Sequence, residues 1–180
     1  MKKLFFIIAV LFATHTQAQV TKVNLQASGL TCSMCSNAIN KSLKTINYVD
    51  KVMANIKTST FEISFKPDAK INFDQLKKKV EDAGFSVANM TAMINFANVT
   101  VEKDQHLSYG GLTFHFLNAN GQTLNGEKTI QVVDKGYVSA KSFKKNQLFT
   151  SMNCYKTGVA GSCCKKEGLP SGTRIFHVTI

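Results

Sequence analysis

Residues 23–39, Val23-Asn24-Leu25-Gln26-Ala27-Ser28-Gly29-Leu30-Thr31-Cys32-Ser33-Met34-Cys35-Ser36-Asn37-Ala38-Ile39, change rhythm in their middle. Val23, Leu25 and Ala27 alternate with Lys22, Asn24 and Gln26, the period-two pattern of a strand with one buried face. From Cys35 onward the apolar residues recur at Ile39, Leu43 and Ile46, with Asn37, Asn40, Lys41 and Lys44 on the other side, which is helical spacing. Cys32 and Cys35 stand where one period gives way to the other. The first backbone N–H groups of a helix lack partners, and the helix dipole favours negative charge there. Both effects lower a thiol's pKa and populate the thiolate, which either binds a soft ion or attacks a disulfide.

The segments that follow continue the alternation of strand and helix. Val52, Ala54 and Ile56 alternate with Lys51, Met53 and Asn55, Thr58-Ser59-Thr60 makes a turn, and Phe61, Ile63 and Phe65 alternate again, so the two runs read as a hairpin. After Pro67-Asp68, Phe73, Leu76, Val80 and Ala83 return at helical spacing, and Gly84 stops that helix as a C-terminal cap would. Phe85 to Thr91 is a last strand. The order β-α-β-β-α-β predicts an α+β, ferredoxin-like domain over residues 19–92, with two helices on one face of a four-stranded antiparallel sheet.

From residue 93 to 180 glycines punctuate short apolar runs. Leu112, Phe114 and Phe116 form one face of a strand, and Phe176, Val178 and Ile180 form another. Thr129 to Val138 is a third strand candidate, and Ser139 to Asn146 a short helix. These features predict a second, small β-rich domain, a barrel or a sandwich.

The chain opens with Lys2-Lys3, an apolar run from Leu4 to Ala13, and Thr16-Gln17-Ala18. That is the pattern of a signal peptide over residues 1–18, its apolar core too short to span a bilayer, so a periplasmic or secreted protein without stable membrane insertion is expected. The 22 Lys and Arg outnumber the 11 Asp and Glu among 180 residues. Arg174 is the single arginine. Nucleic-acid readers rely on arginine forks, so a nucleic-acid partner is not expected. Lys41 and Lys44 on the wet face of the first helix suggest steering of an acidic partner.

Two soft sulfurs without hard oxygen ligands favour Cu(I) or Hg(II) over Mg(II) or Ca(II). A structural zinc site asks for four ligands, and the first module carries two cysteines and no histidine. The rival use of Cys-x-x-Cys is thiol–disulfide exchange. A thioredoxin-like enzyme would have a longer βαβ core and a proline facing the cysteines, whereas Pro67 and Pro170 are the only prolines and neither is suitably placed.

Gly29-Leu30-Thr31-Cys32-Ser33-Met34-Cys35, the element order and Asp82-Ala83-Gly84-Phe85 together resemble the heavy-metal-associated domain family of copper chaperones, copper-ATPase N-terminal domains and the periplasmic mercury-binding protein. The resemblance covers residues 20–91. It implies that Cys32 and Cys35 bind the metal, that Phe85 packs near the site and screens it, and that Leu30, standing where the family usually has methionine, packs beneath the loop. Cu(I) is the expected ion, with Hg(II) or Zn(II) as alternatives. The implied partner is another metal-transfer protein or a metal-transporting ATPase, and the chain is not expected to be an enzyme. The first module could also serve only to recruit metal for the second.

Cys154, Cys163 and Cys164 form a second group in a glycine-rich stretch. An oxidising compartment favours a disulfide from Cys154 to Cys163 or Cys164. Adjacent cysteines rarely bond each other, so one of the three is left over, and a second thiolate metal site stays open. His115 and His177 lie on strands, on the faces opposite the Phe114/Phe116 and Phe176/Val178 sets. If those strands are neighbours, the two imidazoles could join the sulfurs as mixed ligands. No Ser/His/Asp order, phosphate-cradling loop or paired-carboxylate site stands out.

Overall fold

The computed structural model describes residues 19–30 and 32–180. The signal-peptide expectation for residues 1–18 lies outside that range, as does Thr31. In chain order the elements of the first half are β1 (Gln19–Ser28), α1 (Ser33–Lys44), β2 (Val49–Asn55), β3 (Thr60–Phe65), α2 (Phe73–Asp82) and β4 (Ser86–Val101). The second half holds β5 (Gln105–Tyr109), β6 (Leu112–Phe116), β7 (Gln122–Val132), α3 (Ala140–Asn146), α4 (Cys154–Thr157) and β8 (Phe176–Thr179), with short 3-10 turns at Gln147–Phe149 and Ser162–Glu167.

The predicted βαββαβ order is present. Val23, Leu25 and Ala27 of β1 are buried together with Ile39 and Leu43 of α1 and Phe73, Leu76 and Val80 of α2. Each periodicity seen in the sequence therefore marks a face turned to one core. Asn72 caps α2, its side chain accepting from the Gln75 backbone N–H at 3.1 Å. Gly84, at φ 88°, ends the same helix, and the following Phe85 N–H closes onto the Val80 carbonyl at 3.1 Å. A side chain at that left-handed position would be strained.

The second half departs from expectation. Neither a barrel nor a second stacked sheet is formed by the described residues. The strands join one open sheet in the order β2-β3-β1-β4-β7-β8-β6-β5. The reason is β4, which does not stop at Thr91 but continues to Val101 as a 16-residue strand. One edge of β4 pairs with β1, and the other, from Thr91 to Val101, pairs with β7. A bulge between Phe96 and Val99 keeps the ladder intact past Ala97-Asn98. The predicted strand at Thr129–Val138 in fact runs from Gln122 to Val132.

β5 and β6 form a hairpin over Gly110-Gly111, both at positive φ, the requirement of a two-residue primed turn. β6 also pairs in parallel with β8, placing His115 opposite His177. All five residues of β6 are buried, so both of its faces are covered. On one face Phe114 and Phe176 meet Phe73 of α2 at ring-centroid distances of 6.5 and 5.1 Å, which joins the two halves in a single apolar cluster. On the other lies the segment between β7 and β8, where Tyr155 packs with Leu117, Val133 and Val138.

A polar link closes the same junction. Arg174 donates to both carboxylate oxygens of Asp74 on α2, at 2.8 and 3.1 Å, and Tyr137 donates to Asp74 at 2.7 Å. Burial raises the Asp74 pKa, but these hydrogen bonds outweigh it and hold the carboxyl below its ordinary value.

Candidate metal centres

Cys32 is the N-cap of α1. Its sulfur accepts from the Cys35 backbone N–H at 3.3 Å and lies 2.6 Å from the Cys35 sulfur. Cys32 is exposed and Cys35 half-buried. Ser36, Ile39 and Leu43 anchor the opposite face of the helix, so the two thiols stand at the rim of a fixed element. The Cys32 pKa is lowered, chiefly by the Cys35 thiol and next by the Cys35 backbone N–H. Leu30, just before this loop, and Phe85, after α2, are partly buried against the core. Met34 is 81% exposed. Lys41 and Lys44 fall in the last turn of α1. At ~1.5 Å of rise per residue they lie about 9 and 14 Å along the axis from Cys35, so the expected steering lysines are not beside the thiols.

A second cluster sits beneath the other face of the sheet. Cys154, at the start of α4, is 1% exposed and Cys164 is 0% exposed. The Cys154 sulfur lies 3.6 Å from His106 Nε2 and 3.7 Å from His115 Nδ1. The Cys164 sulfur lies 3.6 Å from the same His106 Nε2 and 3.4 Å from the Cys163 sulfur. Donor atoms of His106, His115 and Cys154 lie within 4.8 Å of one another, as do those of Cys154, Cys163 and Cys164. These three cysteines are free thiols.

Of the residues expected at a second site, Cys154, Cys163, Cys164 and His115 are brought together. His177 is next to His115 in the sheet, but its Nδ1 faces Asp134 at 2.6 Å, and its buried Nε2 finds no partner among the described residues. His106 was missed. Its signal was available: a two-residue turn at Gly110-Gly111 puts Tyr109 opposite Leu112 and, three pairs further on, His106 opposite His115.

Each imidazole is held on its outer nitrogen by a carboxylate. His106 Nδ1 contacts Glu167, and His115 Nε2 contacts Asp104 at 3.0 Å. With the ring protons on the nitrogens that face the carboxylates, each inner nitrogen would present a lone pair to sulfur. Burial lowers the His115 pKa to about 4, with His177 and His106 adding to the effect, so its ring is neutral. Burial raises Cys154 and Cys164, and the neighbouring sulfurs oppose a second negative charge.

A βαββαβ fold that presents two thiols at the tip of its first helix defines a class of soft-metal-binding modules. The sequence profile of the Heavy-metal-associated domain matches residues 24–86. The mercuric transport protein periplasmic component of Serratia marcescens is 34% identical over 86 residues, covering 47% of this chain and 93% of that protein. The chain therefore belongs to the heavy-metal-associated domain family.

A copper-exporting P-type ATPase of Staphylococcus saprophyticus is 35% identical over 81 residues, 44% of this chain. The chain spans only 10% of that ATPase's length. Oxidized MerP from Ralstonia metallidurans CH34 is 32% identical in a structural match that covers 38% of this chain and 97% of that one, with a TM-score of 0.35. Among the described residues no helix is long and apolar enough to cross a membrane.

Proposed function

We propose that this is an exported protein that binds a soft metal ion, Cu(I) foremost, through Cys32 and Cys35, and passes it to a thiolate of a partner. The observation that carries this reading is the pair of convergent sulfurs at the N-terminus of α1, inside the segment that matches the family. The exposed Cys32 leaves one side of the ion open, so an incoming thiolate can bind before Cys32 departs, and the ion moves by ligand exchange. A metal-transporting ATPase or another metal-transfer protein is the partner class that the copper-exporting relatives suggest. Phe85, next to the cap of α2, would limit water at the site.

Anaerobic titration of the reduced chain with Cu(I) against a chromophoric chelator tests the proposal. Replacing both Cys32→Ser and Cys35→Ser is expected to remove one equivalent of tightly bound Cu(I). Undiminished binding would overturn it. Hg(II) is a second reading, because the Serratia relative matched over nearly its whole length is a mercuric transport protein. Competition between the two ions on the same preparation separates them. Thiol–disulfide exchange is the third, and turnover of insulin lost in the double variant would support that instead.

A further inference from the structure

We propose that His106, His115, Cys154 and Cys164 form a second, closed site for one resident divalent ion of the zinc class, which ties the segment between β7 and β8 to the sheet. The reading is independent of Cys32 and Cys35. Donor spacing is the first argument. With Zn–S near 2.3 Å and Zn–N near 2.0–2.1 Å, a tetrahedral ion sets sulfur and nitrogen about 3.6 Å apart. Three of the four sulfur–nitrogen edges of that tetrahedron measure 3.6, 3.7 and 3.6 Å. Such lengths are within reach of a hydrogen bond to sulfur, and they also fit the edges of such a tetrahedron.

Charge is the second argument. The His106 and His115 side chains are 1% and 0% exposed. Two thiolates and two neutral imidazoles carry two negative charges, which a divalent ion cancels. Cu(I) would leave a net negative charge buried beside Glu167 and Asp104. Binding releases two thiol protons to solvent, while the ring protons stay on the nitrogens that face the carboxylates.

The third argument is the paired outer shell. Two separate carboxylates, from the loop before β5 and from the 3-10 turn after Cys164, each orient one imidazole toward the sulfurs. Carboxylate–histidine pairs of this kind recur around zinc. Cys163 is the spare thiol. It is more exposed than its neighbours, and adding it would make a third thiolate and restore a net charge.

The test uses the full chain with Cys32→Ser and Cys35→Ser, so that only the second cluster can respond. Co(II) replaces zinc as an optical probe under reducing, anaerobic conditions. One equivalent is expected, with the intense d–d bands of a tetrahedral site and a sulfur-to-metal charge-transfer band, and Zn(II) is expected to displace it. His106→Gln and Cys154→Ala are each expected to abolish stoichiometric binding, with far-UV circular dichroism confirming that the apo variants are folded. Cys163→Ser is expected to leave the spectrum unchanged. Glu167→Gln is expected to weaken affinity about 10–100-fold while the bands keep their positions, which a merely structural role would not produce.

An octahedral spectrum, no uptake at all, or uptake unaffected by His106→Gln would overturn the proposal. So would a mass two hydrogens short, localised to Cys154 and Cys163 or Cys164, in protein that takes up no metal after isolation. Loss of the bands in Cys163→Ser would overturn the ligand set.

Discussion

Phe73 of α2 is fully buried between the two halves of the chain, its ring against Phe114 of β6 and Phe176 of β8. If the sheet is one mechanical body, removing this ring should destabilise both halves together. Truncating a buried phenylalanine to alanine costs about 3–5 kcal/mol, the lost transfer energy plus the cavity left behind. For a chain of this size each kcal/mol lowers the melting midpoint by about 2–4 °C, so Phe73→Ala should lower it by about 6–20 °C. Scanning calorimetry on the reduced, metal-free chain is the assay. A single transition is expected before and after the change, with calorimetric and van't Hoff enthalpies in agreement. Leu148→Ala, at a side chain 85% exposed, is the control and should move the midpoint by about 2 °C or less. Two separate transitions, or a Phe73→Ala shift below about 2 °C, would refute the reasoning that one core spans both halves.

Other consequences can be checked alongside. Asp74 has a folded pKa below its unfolded value near 3.9, so its contribution is present above about pH 4 and is lost as pH falls through the lower, folded value. Asp74→Asn should thus destabilise the chain at pH 7 by no more than about 1 kcal/mol, given a half-exposed pair, and the gap from wild type should close in acid; a gap that widens in acid would contradict this. Tyr155 donates from a buried site to the Val133 and Phe143 carbonyls, both at 3.0 Å, and Tyr155→Phe should cost about 1–3 kcal/mol in urea unfolding. In the metal-free reduced chain Cys32 should be alkylated at least about tenfold faster than the buried Cys154, as followed by peptide mass mapping; equal rates would mean that the second cluster is open to solvent.

The first half was legible because its signals are local. Val23 to Ile46 carries a change of period, Pro67-Asp68 breaks the strand before α2, and Gly84 stops that helix. The extension of β4 was not, since Asn95 and Asn98 interrupt the apolar run and the bulge at Ala97-Asn98 leaves no mark in the pattern. β5 has too little alternation to show as a strand. The parallel pairing of Phe114 with Phe176 joins positions 62 residues apart through side chains that pack on α2, a contact no window along the chain contains. The Cys-x-x-Cys pair was legible as chemistry because one loop holds it. The second cluster draws on β5, β6, α4 and the turn at Ser162–Glu167, so three of its cysteines and His115 could be named but not assembled.

The long β4 strand also works as a ruler. From β1, which leads into Cys32, to β6, which carries His115, the sheet steps through β4, β7 and β8. Four inter-strand steps of about 4.8 Å make a gap of roughly 19 Å, and the two centres lie on opposite faces. Thiolates that share an ion stand no more than about 4.6 Å apart, twice a metal–sulfur bond. Direct ligand exchange between the two proposed centres would have to cross that gap. We expect each proposed centre to fill independently, with any traffic between them running through a second molecule.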